Sequence, residues 1–283
     1  MNDLAFYSLL LFIIIRAIGL AISIDYYYTT KKNIYIYYSI GWFFLIVAAI
    51  SPIISELFYD SFLSELFLVM NGTSASLGIA FIAMGTLLTF VQVPFKPFFI
   101  LIVALTIIPI IFLTSGFFKI ALNFAIVSIN LLYIIAFVLP IYRVRKFKEH
   151  IGKSIVWYYG VTINFFFYIP VSIFIILQGY SYGLYDVYNP FLVILNYIFP
   201  LTTTIVLIVF LVHLEYGISN NKKFQLKDKY SHEIGNILQI LQSSIDILTQ
   251  EKDNVKSELM EVNDLVKTKC KEASTLINEI RAL

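Results

Sequence analysis

The chain is expected to be all-α: a seven-helix transmembrane bundle followed by a cytoplasmic two-helix hairpin. Three observations predict this. Of its 283 residues, 59% are hydrophobic and only 13% are charged, whereas an average soluble domain has about 25% charged residues. The charges are also segregated: residues 1–216 hold 10 Lys/Arg and 8 Asp/Glu, and the 67 residues from Gly217 to Leu283 hold 10 of each. Finally, the first region reads as apolar runs of span length, and the second as a four–three apolar alternation. The expected organisation is a transmembrane domain over 1–216, a juxtamembrane linker over 217–229 and a helical hairpin over 230–283. The C-terminal part is densely charged but neutral, so no nucleic-acid partner is expected.

A helix rising 1.5 Å per residue needs about 20 apolar residues to cross a hydrocarbon core of about 30 Å. Seven stretches qualify: Leu4–Ile24, Ile34–Ile54, Ser74–Val91, Pro97–Thr114, Phe117–Tyr142, Ile155–Gln178 and Pro190–Leu214. Leu63–Met70 is apolar too, which allows the third to begin near Phe62. Leu4–Ile24 has no basic segment before it and no small-residue cleavage site after it, so a retained helix is expected rather than a signal peptide.

Orientation follows the Lys/Arg bias. The odd loops carry Lys31, Lys32, Lys96, Arg143, Arg145, Lys146, Lys148 and Lys153, and the even loops only Lys119. Glu56, Asp60, Glu65 and Asp186 fall in even loops. This places the N-terminus outside the cell membrane and the C-terminal hairpin in the cytoplasm. Tyrosines 26–28, 35, 37 and 38 are expected to form an interfacial aromatic belt.

Arg16 falls near the middle of the first span, where a charge costs about 3 kcal/mol on insertion scales and usually faces a bundle interior or cavity. No acidic residue lies mid-span to pair with it. Its expected partners are the amides of Asn130, Asn164 or Asn196, or carbonyls freed by Pro109, Pro170 or Pro200. Two readings stand: a structural link between helices, and a sensor or coupling site. A retinal protein is excluded by the absence of lysine from Pro190–Leu214, and transport is poorly served without acidic residues inside the spans.

The segment Gly217-Ile218-Ser219-Asn220-Asn221-Lys222-Lys223 is polar and rich in breakers, so a weakened helix or short linker is expected at the inner surface. From Ile234, apolar residues recur at Leu238, Leu241, Ile245 and Leu248, a heptad seam. A second set runs Leu259, Val262, Val266, Ala273, Leu276, Ile280 and Leu283, interrupted by Lys269 or Cys270. The polar stretch Gln250–Asn254 separates them, with Asp253 or Asn254 as a helix cap. Because one hairpin buries its seam poorly, two copies are expected to pair as a homodimeric four-helix bundle. Cys270, the only cysteine, is expected to be a semi-buried small residue. One polar stripe flanks the first seam: His232, Asn236, Gln239, Ser243, Asp246 and Gln250.

Ser231-His232-Glu233-Ile234-Gly235-Asn236, placed on this helix after the apolar block, resembles the phosphoacceptor box of sensor histidine kinases. The region from about Lys227 to Leu283 is similar to that family's dimerisation and phosphotransfer hairpin. The resemblance implies that His232 is the phosphoacceptor, Glu233 the general base, and Asn236 the residue that orients water when the response regulator is dephosphorylated. It implies ATP as phosphoryl donor and a response regulator as partner; no metal-binding residues are expected in this chain. Ile237 stands where a proline is common after the box. Nothing resembles the family's glycine-rich ATP-binding loops, and Gly235 is the only glycine beyond Gly217. The ATP-binding domain is therefore expected in trans, or to have been truncated.

The leading expectation is a sensor histidine kinase of a two-component system lacking that domain. The alternatives are a phosphotransfer or dominant-negative partner phosphorylated in trans, and a seven-helix receptor with a non-catalytic dimerising coiled coil.

Overall fold

Helices that are apolar on every face can pack only on one another and on lipid, and the architecture follows from that. The computed structural model describes residues 3–58, 61–89, 95–135, 148, 151–177, 190–250, 264–273 and 275. Among these, the regular elements are helical and none is a strand. In chain order they are α1 (Asp3–Thr30), α2 (Ile34–Ser55), α3 (Phe62–Leu88), α4 (Phe95–Thr114), α5 (Phe118–Tyr133), α6 (Ile155–Leu177) and α7 (Pro190–Gln250). Short 3-10 turns lie at Glu56–Phe58 and Gly152–Ser154, and residues 264–273 are helical.

Among the described residues, six helices are long and apolar enough to cross a membrane: Phe6–Thr30, Ile34–Phe58, Phe62–Leu88, Phe95–Thr114, Ile155–Phe174 and Tyr197–Ser219. The expected span Phe117–Tyr142 appears as the 16-residue α5; its residues 136–142 lie outside those described. The third span begins at Phe62 rather than Ser74, because Ser61 caps it: the Ser61 hydroxyl accepts from the Ser64 amide at 3.3 Å. Glu65 in that first turn suits the positive end of the helix. Of the charges that set orientation, Asp60, Arg143, Arg145, Lys146 and Asp186 and the Lys153 side chain lie outside the described residues.

Two compact units divide the chain at Gly217/Ile218. In the first, α2 and α3 pack backbone to backbone through glycine. A Cβ on Gly41 would stand 2.8 Å from the Gly78 carbonyl oxygen, and one on Gly78 would stand 2.9 Å from that of Gly41. Small residues at such crossings let helices approach closely when lipid supplies no hydrophobic drive between them. Gly72 sits likewise against Ala125 of α5, and the Ser76 hydroxyl donates to the Ala125 carbonyl at 3.2 Å. A Schellman turn joins α4 to α5: Phe117 N donates to Phe112 O at 2.8 Å, and Gly116 N to Leu113 O at 3.0 Å. Gly116 has φ +80, which only glycine adopts without strain. Between α6 and α7, the Asn164 amide donates to the Phe199 carbonyl at 3.0 Å and to the Thr203 hydroxyl. Large apolar side chains such as Ile14, Phe43, Phe99 and Phe167 face outward, as a hydrocarbon solvent permits.

The tyrosine cluster divides. Tyr28 is exposed as a belt residue would be, but Tyr35 and Tyr38 are fully buried. The Tyr38 hydroxyl shares a 2.8 Å hydrogen bond with Thr86, so these rings are core rather than belt.

The second unit comprises α7 from Ile218 onward and residues 264–273. Residues 217–229 are helical despite their breaker-rich composition. The interhelix stretch 251–263, including Asp253 and Asn254, lies outside the described residues. Ile237, off the heptad seam as read from sequence, is buried. On 264–273, Val266, Lys269 and Ala273 form the less exposed face. Lys269 therefore occupies the interrupted seam position, and Cys270 is exposed rather than semi-buried. Lys269 pairs with Glu272 at 2.8 Å.

Candidate functional site

The polar stripe of α7 places its candidate residues by helical geometry alone. His232 and Asn236 are four residues apart, so they share a face, with Cβ atoms about 6 Å apart. Both are exposed, as are Gln239 and Ser243 further along the stripe. Glu233 lies about 100° around the helix axis from His232 and is half-buried. The Ser243 hydroxyl is spent on the Gln239 carbonyl at 2.9 Å, within its own helix. A Cβ on Gly235 would meet nothing within 4 Å. An exposed imidazole flanked by a carboxylate, with an amide one turn on, can accept a group on one ring nitrogen while the other loses its proton. No cluster able to hold a metal ion occurs among the described residues.

Arg16 occupies a second site, inside the first unit. Its Nη1 donates to the Leu45 carbonyl of α2 at 2.5 Å, and its guanidinium carbon lies 4.9 Å from the Phe12 ring centre. The expected amide partners are engaged elsewhere. Asn130 donates to Ile126 O and to the Ser172 hydroxyl, both at 3.1 Å, and Asn164 serves the α6–α7 contact. The Asn196 side chain lies outside the described residues. The partner is thus an ordinary helical carbonyl, not one freed by proline. The Arg16 Nε is buried without a hydrogen-bond partner. Beside it is a cavity of about 160 Å³, to which α1, α2, α3, α5, α6 and α7 all contribute.

Residues that sequence reasoning missed form a collar where α7 nears the end of the first unit. Lys32 Nζ contacts both Glu215 oxygens, at 2.8 and 2.7 Å, and the Tyr35 hydroxyl donates to Glu215 as well. Lys31 supports this turn in a left-handed conformation, φ 56. Gly217, expected to weaken the helix, is instead a contact point: a Cβ there would lie 2.3 Å from the Ile151 carbonyl. Next to it, the Ser154 hydroxyl donates to the His213 carbonyl at 2.5 Å. A signal was available in the sequence, since Glu215 directly follows an apolar span whose end is expected on the same side as the basic first loop.

Compared with protein-family models, with curated proteins and with solved structures, the chain matches none.

Proposed function

We propose that this chain is the sensor and phosphoacceptor portion of a membrane sensor histidine kinase. In this reading seven segments span the cell membrane, the fifth being Phe117–Tyr142 as read from the sequence. The N-terminus is outside, and His232 is in the cytoplasm on a homodimeric hairpin. The single observation carrying the reading is the exposed His232, beside Glu233 and one turn from the equally exposed Asn236. The imidazole nitrogen attacks the γ-phosphorus of ATP held by an ATP-binding domain outside these residues. An N–P bond forms, the bridging P–O bond breaks, ADP leaves, and Glu233 takes the proton from the other ring nitrogen. The phosphoryl group then passes to an aspartate of a response regulator.

The test supplies a histidine-kinase ATP-binding domain and γ-labelled ATP to the full chain in nanodiscs. Acid-labile, base-stable label is expected on the wild type and is expected to vanish in His232→Gln. Equal label in both proteins removes His232 from the mechanism. No phosphohistidine in either favours the receptor with a non-catalytic coiled coil.

A further inference from the structure

We infer that the Arg16 cavity binds a small organic carboxylate with an apolar body. Charge is the first reason. A guanidinium offers five N–H donors; among the described residues Arg16 forms no ion pair, and its one hydrogen-bond acceptor is the neutral Leu45 carbonyl. Burying a cation without an anion is costly in a low-dielectric interior. Its Nε is buried without a hydrogen-bond partner, so the guanidinium has donors to spare, and a guanidinium binds a carboxylate through two parallel hydrogen bonds. A single guanidinium matches a single negative charge, which favours a monocarboxylate over a phosphate.

Size and lining are the second reason. About 160 Å³ is close to the volume of an engineered apolar cavity that admits benzene, about 150 Å³. A ligand of roughly six to ten heavy atoms fits that scale. Ala48, Ala49 and Ala75 leave the space open, while Phe12, Ile79 and Phe165 make the walls apolar. Asn71, Tyr133 and Tyr168 bring polar groups to the same lining, whereas the Thr203 hydroxyl is spent on the Phe199 carbonyl at 2.8 Å. Binding stands on these observations alone; that the ligand is the sensed signal rests on the function proposed above.

The test uses calorimetry on the full chain in phosphatidylcholine nanodiscs, titrated with hexanoate, with benzoate and with the neutral isostere hexanamide. Saturable carboxylate binding is expected, with hexanamide at least about tenfold weaker, or 1.4 kcal/mol. Arg16→Gln should bring hexanoate down to the affinity of hexanamide. Ala75→Phe, which fills the cavity and keeps the guanidinium, should abolish both. Equal binding of acid and amide, unchanged binding in Arg16→Gln, or no saturable binding of either acid overturns the inference. If Arg16→Gln fails to insert, Ala75→Phe decides alone, and retained hexanoate binding overturns the inference. Competitive loss of hexanoate in nanodiscs containing phosphatidylglycerol assigns the site to a lipid headgroup and also overturns it. His232→Gln should bind hexanoate like the wild type, so a failure of phosphotransfer leaves this result unaffected.

Discussion

Gly78 in the first unit and Gly235 in the second are the same residue in helices, put to opposite uses. A Cβ on Gly78 would lie 2.7 Å from Leu45 Cγ and 2.9 Å from the Gly41 carbonyl oxygen, whereas one on Gly235 would meet nothing within 4 Å. The first unit is thus specified by close steric fit between apolar helices. The second is specified by a solvated pattern in which single positions are tolerant. The largest stability effect expected is that of Gly78→Ala, a loss of about 1–3 kcal/mol from overpacking against a backbone that cannot yield. Unfolding of the nanodisc-embedded protein measures it. A neutral outcome would mean that the α2–α3 crossing relaxes freely.

How much was legible follows the same division. Length, hydropathy and charge made the apolar helices readable, and the apolar spacing made the helix up to Gln250 readable, because each is a periodic property of consecutive residues. Contacts between helices were not readable. Tyr35 and Tyr38 were taken for belt residues because a tyrosine's depth depends on which way its helix faces. Gly217 reads as a breaker in a linker and as a contact in a bundle, and only the Ile151 carbonyl beside it distinguishes the two. Arg16 was found because a mid-span cation is conspicuous in any sequence. Its partner was missed, since a helical carbonyl leaves no mark in residue type. Ile237 was passed over because the seam was read in alternating fours and threes from Ile234, one position off the residue that is buried. The placement of His232, Glu233 and Asn236 on one helix was legible because it is local: about one turn carries all three.

The collar tests the first unit at lower amplitude. The Lys32 and Glu215 side chains are 32% and 17% exposed, so their 2.7 Å contact is partly screened by solvent. A double-mutant cycle with Lys32→Met and Glu215→Gln should show a coupling of about 1 kcal/mol, shrinking as salt is raised. A coupling indistinguishable from zero at low salt would remove the ion pair from what holds α7 to the first loop. Lower still is Gly235→Ala, where helix propensity alone acts. It should stabilise the C-terminal helix by about 0.5–1 kcal/mol, read by amide exchange, and any loss would reveal a neighbour packed at that position.

Asn236→Ala should change stability least, within about 0.5 kcal/mol, because its side chain is exposed on a polar face. Its consequence should be kinetic. If the proposed function holds, an amide one turn from His232 would reach the same response regulator as the imidazole, and would hold water in line with its phosphorylated aspartate. The variant should therefore label at His232 as fast as the wild type while dephosphorylating the regulator more slowly, followed by decay of regulator phosphate after ATP is removed. Equal decay rates would reduce Asn236 to a solvated surface residue. Slowed labelling would instead place it in the forward reaction, where helical spacing brings it as close to the attacking nitrogen as to the regulator.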